Sequence, residues 1–344
     1  MTPLDATELP PVIRTTTLAT EHLAPCTPQN SGDSITSGLL AWATLILAAV
    51  CIVVVLAGAA APWLWLGDLA VHWSGHAAIG LLPALVVWRR RPRYVVPLVL
   101  VLMAAFIPGM RSMMEPRLTV VAAPARPITV AFANVYDFNR DRSQALQAIN
   151  GVDAEVIGLA EVSIQDRARI TSTRWPFQHW EDRDGTLSVA LLSAHPILSA
   201  TLLDADGAGV LEATLDLGQE RRLRIIVAHL FSPKNGSSTR GRNEQLRFMT
   251  KVTATDSLPL LLLGDLNLSP ASPHWRAFVS DTGFKRAPGT SPATWPTSFG
   301  PGGIAIDHLL ARNLGLTDVE PFPIPGSDHR GLRAIAWLGA SGGD

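Results

Sequence analysis

The chain has 344 residues, of which 47% are hydrophobic and 17% are charged, and its formal net charge is −1 at pH 7. This composition is too apolar for an ordinary soluble protein and predicts segments that cross a membrane. Cys26 and Cys51 are its two cysteines, so a scaffold held together by disulfides is excluded.

The apolar residues are concentrated near the N-terminus. Residues 1–37 are polar and rich in Pro, Thr and Ser, which predicts a disordered cytoplasmic tail. Residues 38–110 predict a membrane anchor of three transmembrane helices. Its first span, 38–61, is 24 uncharged residues long, enough to cross a hydrocarbon core of ~30 Å. The second and third spans are stretches of 20 and 17 residues without Asp, Glu, Lys or Arg, at 69–88 and 94–110.

Orientation of the anchor follows from a cluster of arginines between the second and third spans, namely Arg89, Arg90, Arg91 and Arg93. Short cationic loops stay in the cytoplasm. We therefore predict a multi-pass protein of the cell membrane, with a cytoplasmic N-terminus and an extracytoplasmic C-terminal domain. A Pro-rich linker at 111–127 would hold that domain close to the lipid bilayer.

Three polar residues of the second span, Asp68, His72 and His76, follow one another at a spacing of four residues. This spacing places them on one face of a continuous helix. They could bind a metal, line a path for a lipid, or lie at the outer interface of the membrane, where polar groups are tolerated. The sequence leaves their role open.

Residues 128–344 predict a single large domain in which apolar strands alternate with shorter helices. This order fits two β-sheets packed face to face and covered by helices. From residue 127 onward the chain has 20 Lys and Arg against 23 Asp and Glu. Proteins that grip long nucleic acids present a basic surface to the phosphates, so a nucleic-acid partner is not expected.

Polar residues follow several of these strands. Glu161 comes after the apolar run 156–159, a position that suits a metal ligand, although a surface Glu in a turn is the alternative. In the segment 260–267 a strand of leucines ends in Gly264, which permits a tight turn and puts Asp265 and Asn267 on the same side. One can orient or deprotonate a water molecule, while the other donates its amide to a phosphate oxygen.

A second group of candidates lies nearer the C-terminus and at the ends of two other strands. Asp328 could reach a metal while His329 contacts a phosphate, and Asp307 could hydrogen-bond His329 and keep it protonated. Asn134 would bond a phosphate or a metal-bound water, and His229 would contact the phosphate or donate a proton. Each of these residues is also compatible with an ordinary turn or strand end.

Taken in order, the set Asn134, Glu161, His229, Asp265-x-Asn267, Asp307 and Ser327-Asp328-His329 resembles the endonuclease/exonuclease/phosphatase superfamily over nearly all of 128–339. The resemblance implies an α/β fold, a deoxyribonuclease-like four-layered α/β/β/α sandwich. It further implies Mg²⁺ or Mn²⁺ as the cofactor and in-line attack by water. Glu161 and Asp328 would bind the metal, Asp265 and Asn267 would handle water and phosphate, and Asp307 would pair with His329. Some nucleases of the superfamily carry an Asp where this chain has Tyr136, which leaves metal ligation by that segment open.

Three spans before an external domain resemble the membrane-bound bacterial subgroup of VanJ-like teicoplanin-resistance proteins. That resemblance implies antibiotic resistance through hydrolysis of undecaprenyl pyrophosphate, the lipid carrier of the cell wall. Arg240 and Arg242 would bind such a lipid-linked phosphate, or else be plain solvated residues. The alternatives are an extracytoplasmic nuclease or phospholipid phosphodiesterase with the same site, and an inactive tethered binding module. The exact substrate, the number of metals, the oligomeric state and any protein partner stay undetermined.

Overall fold

The computed structural model describes residues 31–118, 126–182, 187–203, 207, 209–254 and 258–338. The chain forms two units, residues 1–42 and 43–344, and the second contains the strands together with most of the apolar helices. The predicted tail lies outside the described residues up to position 30, and positions 119–125 of the predicted linker do as well.

Residues 31–118 contain four helices: α1 (Ser31–Ala59), α2 (Trp65–Val71), α3 (Ser74–Trp88) and α4 (Pro92–Met113). α1 begins before the apolar stretch does and α4 extends into the predicted linker, because the hydrogen bonds of a helix do not depend on apolar side chains. By length and composition, α1 and α4 are each able to cross a membrane.

The second predicted span is not a continuous helix. α2 and α3 meet at a bend of 68°, so the described residues contain two candidate spans, or three if the bent pair counts as one. Two buried polar residues account for this bend. Asp68 bonds to Arg242 and His72 bonds to Ser269, and both partners lie in the C-terminal domain. Those contacts direct α2 onto the domain instead of along the axis of α3.

The C-terminal domain contains two β-sheets. The described strands are β1 (Arg126–Asn134), β2 (Val156–Ala160), β3 (Phe177–Glu181), β4 (Val189–Ser193), β5 (Ile197–Leu203), β6 (Gly209–Asp216), β7 (Arg222–His229), β8 (Leu260–Asp265), β9 (Asp307–Arg312), β10 (Gly315–Phe322) and β11 (Gly331–Leu338). One sheet has six strands in the order β10-β11-β1-β2-β4-β3, and the other has five in the order β5-β6-β7-β8-β9.

The domain has four layers. Alternate residues of a strand point to opposite faces of its sheet, so Val130 and Phe132 of β1 pack between the two sheets while Ala131 and Ala133 face outward. Helix α5 (Arg142–Asn150) packs on the outer face of the six-stranded sheet, and α6 (Gly236–Thr253) and α7 (Pro273–Thr282) pack on that of the five-stranded sheet. The prediction of an α/β/β/α sandwich after an apolar N-terminal region is confirmed.

Strand direction brings the polar strand ends to one edge of the sandwich. β1 and β2 are parallel, with Asn134 opposite Ala160, the residue before Glu161. β7 and β8 are parallel too, with His229 opposite Asp265. β9 runs antiparallel to β8, so its first residue, Asp307, lies opposite Asp265.

Gly264 is required for a different reason from the one expected. It lies within β8 and not in a turn, and a Cβ at this position would approach the carbonyl oxygen of Ala228 on β7 to 2.6 Å. Glycine therefore allows β7 and β8 to pack closely at the point where His229 and Asp265 emerge.

Candidate active site

Three residues at the polar edge adopt a left-handed backbone conformation without being glycine. They are Tyr136, Glu161 and Asn267, with φ of 67°, 55° and 48°. They follow the ends of β1, β2 and β8. Such a conformation costs on the order of 1–3 kcal/mol per residue and tends to occur at functional sites, where the surroundings hold it in place.

Asp265 lies at the centre of this edge. Its Oδ2 accepts a hydrogen bond from Nδ2 of Asn134 (3.2 Å) and lies 3.6 Å from Nε2 of His229 and 3.8 Å from Nε2 of His329. Its Oδ1 accepts a hydrogen bond from the backbone N–H of Asn267 (2.8 Å). Residues that are up to two hundred positions apart in the sequence therefore meet around one buried carboxylate.

Glu161 belongs to the same cluster. Its Oε1 accepts a hydrogen bond from Nδ2 of Asn134 (3.0 Å) and lies 3.7 Å from Nε2 of His229. Its Oε2 accepts a hydrogen bond from the backbone N–H of Asp137 (2.7 Å). The segment that follows β1 therefore orients Glu161 through its backbone, a role that the sequence did not indicate.

His329 and Asp307 form a buried pair in which Nδ1 of the imidazole donates to Oδ2 of the carboxylate over 2.9 Å. Burial alone would lower the pKa of His329, but the charge and hydrogen bond of Asp307 raise it to about 10. Burial and the neighbouring charge of Asp307 raise the pKa of Asp265 to about 8. At neutral pH and without a cation, the site therefore contains an imidazolium beside an Asp265 side chain that is mostly protonated.

Asp328 is the most accessible carboxylate of the cluster. Its Oδ1 lies 3.9 Å from Nε2 of His329, and its Oδ2 accepts a hydrogen bond from Nε1 of Trp295 (2.9 Å). Within the described part of the chain, Oδ1 of Asp328 and Oδ1 of Asp307 are buried atoms that accept no hydrogen bond. Buried carboxylate oxygens without a donor are costly, so they are available to a cation.

The donor set fits a hard divalent cation. Four carboxylates converge, from Glu161, Asp265, Asp307 and Asp328, and oxygen ligands of this kind suit Mg²⁺ and Mn²⁺. Ligand atoms of Asp265, Asp307 and His329 lie within 4.8 Å of one another. His329 is not a ligand in our interpretation, because its Nδ1 is bonded to Asp307 and the ring is protonated. The carboxylates offer the oxygen ligands that such a cation needs, and Glu161 and Asp328 stay the predicted ligands.

Comparison with known proteins decides the family. The model of the Endonuclease/Exonuclease/phosphatase family matches residues 131–329, more than half of the chain. The chain belongs to the endonuclease/exonuclease/phosphatase family. Every residue of the cluster lies inside the matched range, and the prediction of a metal-dependent phosphoester hydrolase is confirmed at the level of this family.

Solved structures with a similar fold include an endonuclease/exonuclease/phosphatase from Beutenbergia cavernae, with 17% identity, coverage of 63% of this chain and 72% of that chain, and a TM-score of 0.51. A beta toxin from Staphylococcus aureus with bound magnesium ions has 13% identity, coverage of 61% and 99%, and a TM-score of 0.46. Sphingomyelinase C from Streptomyces griseocarneus has 17% identity, coverage of 62% and 99%, and a TM-score of 0.47. No curated protein matches the sequence.

Two residues that support the family site were not predicted. Arg142 donates from Nη2 to the carbonyl oxygen of Glu161 (2.8 Å) and from Nη1 to that of Tyr136 (3.1 Å). It therefore fixes the backbone of two of the three residues in the left-handed conformation. Asp166 in turn fixes the guanidinium of Arg142, accepting from Nε at 3.0 Å. A basic and an acidic residue 24 positions apart carry no recognisable signal in a single sequence.

Trp295 also supports the cluster, a role that the sequence did not indicate. In the structure its indole orients Asp328, as described above. Trp175 and Trp275, by contrast, are buried core residues. The amide of Asn267, expected to face a phosphate, donates one hydrogen bond to the carbonyl oxygen of Leu230 (3.0 Å).

The two arginines expected to bind substrate differ from each other. Arg240 is exposed near the start of α6 and stays a prediction. Arg242 is fully buried, and its guanidinium bonds to Asp68, Asn243 and the carbonyl oxygen of Asn267. The prediction that Arg242 contacts substrate is therefore corrected, because its guanidinium is buried against Asp68 of α2.

Proposed function

We propose that this family member is a membrane-anchored phosphohydrolase with an extracytoplasmic site that acts on a lipid-linked pyrophosphate, undecaprenyl pyrophosphate. Water attacks the terminal phosphorus in line, the anhydride bond breaks, and the products are the lipid monophosphate and inorganic phosphate. Recycling of the cell-wall lipid carrier, and antibiotic resistance that depends on it, would follow from this activity.

Contact between the bent helices and the rim of the site is the observation that carries the proposal. The ring of Trp73, at the bend between α2 and α3, lies 6.5 Å from the ring of Trp295 and 5.7 Å from that of Phe299. His76 on α3 hydrogen-bonds the carbonyl oxygen of Gly302 (2.5 Å). Because Trp295 orients Asp328, the candidate metal site lies next to a segment that is apolar enough to enter a membrane.

Exposed apolar side chains at this contact and at the start of α2 support a lipid substrate. Phe299 is 56% exposed, and Trp63, just before α2, is 80% exposed, with Leu64 and Leu66 exposed beside it. Apolar and aromatic side chains of this kind suit the boundary between a bilayer and water. A lipid tail that stays in the bilayer could then leave its phosphates within reach of Asp328.

The charge of the domain favours a small anionic group over a long polyanion. With 20 basic and 23 acidic residues from position 127 onward, the domain offers no excess of positive charge for a nucleic-acid backbone. A pyrophosphate group needs only the cation, His329 and one further basic residue, for which Arg240 is the predicted candidate.

The chain's own residues have separable roles in this mechanism. A divalent cation held by Glu161 and Asp328 would polarise the phosphate oxygens and stabilise the charge that develops on them. Asp265, which is oriented by hydrogen bonds from Asn134 and Asn267, accepts the proton of the attacking water in its ionised form, and the positive charge of a bound cation would favour that form. The protonated His329, kept charged by Asp307, contacts the phosphate that is attacked. Asn134 donates hydrogen bonds to both Glu161 and Asp265, and so fixes the position of the predicted ligand relative to the predicted base.

The test is an assay of the full-length protein in detergent against undecaprenyl pyrophosphate, sphingomyelin and duplex DNA in parallel. We expect release of inorganic phosphate from the lipid pyrophosphate with Mg²⁺ present and none in excess chelator. The His329→Ala variant, purified in the same way, should be slower by on the order of 10³-fold, which controls for contaminating phosphatases. Hydrolysis of sphingomyelin or DNA with the lipid pyrophosphate left intact would replace the proposal by a phosphodiesterase or a nuclease.

A further inference from the structure

The turn that carries Asn267 is held by a residue of α6 that is itself paired with a residue of the anchor. Nη1 of Arg242, on α6, donates to the carbonyl oxygen of Asn267 over 2.8 Å. Nη2 of the same guanidinium bonds to Asp68, on α2. The two side chains are 0% and 1% exposed, so this is a fully buried ion pair. The guanidinium thus connects a helix of the anchor with the backbone of a site residue.

The other end of the same loop is held by the same turn of the anchor. Oγ of Ser272 donates to Oδ1 of Asp68 (3.1 Å). His72, four residues after Asp68, forms a hydrogen bond of 2.7 Å between its Nδ1 and Oγ of Ser269. The loop from residue 267 to residue 272 is therefore bonded at three points to polar groups that depend on α2.

These contacts matter because of the conformation of the turn. Asn267 has a left-handed backbone, and its N–H is the donor that orients Oδ1 of Asp265. A strained turn keeps its conformation only when its surroundings hold it. Arg242 donates to the carbonyl oxygen of Asn267. Asp68 compensates the charge of Arg242, so the guanidinium can stay buried beside this carbonyl.

We propose that Asp68 and Arg242 are positioning residues: the ion pair sets the turn at Asn267 and thereby the orientation of Asp265, so that the site depends on α2 for full turnover. The kinetic part of this inference rests on the proposed hydrolase activity. It gives Asp68 and His72 a structural role, which differs from the metal binding and the lipid path that the sequence left open.

Glu115 provides a matched control. It follows α4, accepts hydrogen bonds from Nη2 of Arg286 (2.6 Å) and from Nε1 of Trp275 (3.1 Å), and is nearly buried. It therefore ties another part of the anchor to the same domain through a similar ion pair. Among the described residues, neither Arg286 nor Trp275 forms a hydrogen bond to a residue of the catalytic cluster.

The experiment compares Asp68→Asn, Glu115→Gln and the double variant Asp68→Ala/Arg242→Met in the full-length protein in detergent. We expect Asp68→Asn to lower kcat by about 10²-fold with little change in KM, because misplacement of a catalytic group slows chemistry more than binding. Glu115→Gln should lose a similar amount of thermal stability while keeping kcat. The double variant removes both charges, so its melting temperature should recover while kcat stays low, because Asn267 still lacks its donor.

Hydrogen exchange supplies a readout that needs no substrate. The peptide covering 264–272 should exchange about tenfold faster in Asp68→Asn than in wild type or in Glu115→Gln. If Asp68→Asn does not fold, Arg242→Lys replaces it, because a lysine keeps the charge near Asp68 but cannot also reach the carbonyl of Asn267. A wild-type protein that hydrolyses no substrate would defeat the proposed function and leave this readout intact. Recovery of kcat in the double variant, an equal loss in Glu115→Gln, or unchanged exchange would overturn the positioning role.

Discussion

Replacement of Asp307 by Asn would test the charge state of the site directly. The substitution keeps the shape of the side chain and an oxygen that can accept from Nδ1 of His329, now 2.9 Å from Oδ2. It removes the negative charge that holds the buried imidazole in its protonated form. Because both side chains are buried, the effect should be large and little screened by solvent.

The size of the effect follows from the pKa of His329. Its rise from 6.5 to about 10 corresponds to about 5 kcal/mol in favour of the imidazolium, at about 1.4 kcal/mol for each pKa unit. Burial opposes this rise, and Asp307 is its main cause, with smaller contributions from Asp265 and Asp328. In Asp307→Asn we expect the pKa of His329 to fall by about 2 to 3 units.

The direction of the pH dependence also follows. The pKa of His329 in the folded protein lies above its value in the unfolded chain, so its contribution to stability is fully present below pH 6.5. That contribution is lost as the pH rises toward 10. The stability of wild type should therefore decline between these values, and that of Asp307→Asn should decline much less.

The assay is a titration of ring-labelled histidine by NMR in protein freed of divalent cations, since a bound cation would itself change the pKa of His329. Asp166→Asn is the control, because Asp166 is a buried carboxylate that bonds Arg142 and not His329. A wild-type His329 that titrates near 6.5, or a value near 10 that persists in Asp307→Asn, would refute this account of the pair.

Three further predictions concern the metal, the core and the membrane. Glu161→Gln should weaken binding of Mg²⁺ by at least about tenfold in calorimetry without unfolding the protein, and equal affinity would remove Glu161 from the ligands. His308 is buried and donates to the carbonyl oxygen of Leu268, and burial lowers its pKa to about 4. As the pH falls, His308 is protonated in the unfolded chain before it is protonated in the folded protein. The free energy of unfolding should therefore drop by about 3 kcal/mol between pH 6.5 and pH 4. In denaturant titrations, His308→Gln should reduce this dependence of stability on pH. An unchanged dependence would mean that other groups cause it. A reporter fused after Asp344 should be active outside the cytoplasm, whereas cytoplasmic activity would reverse the predicted orientation.

Most of the candidate site could be predicted because its signals are local. An apolar run that ends in a polar residue marks a strand end, and Glu161, Asp265 and His229 were recognised in this way. Parallel pairing then brings such ends to one edge of a sheet without further information, as it does for β7 and β8. The layers of the domain follow from the order of apolar strands and shorter helices along the chain.

The break in the second span, the role of Arg242 and the orientation of Glu161 were decided by the tertiary structure. Asp68 and Arg242 are 174 positions apart, and nothing in either segment indicates that the two charges meet. The composition of the second span predicts a helix across the membrane, but burial of Asp68 requires a partner, and the partner lies on another element. Strand ends and apolar runs are properties of neighbouring residues, so the sequence by itself determined them. The choice of partner for a buried charge depends on how distant elements pack, and only the folded chain decides it.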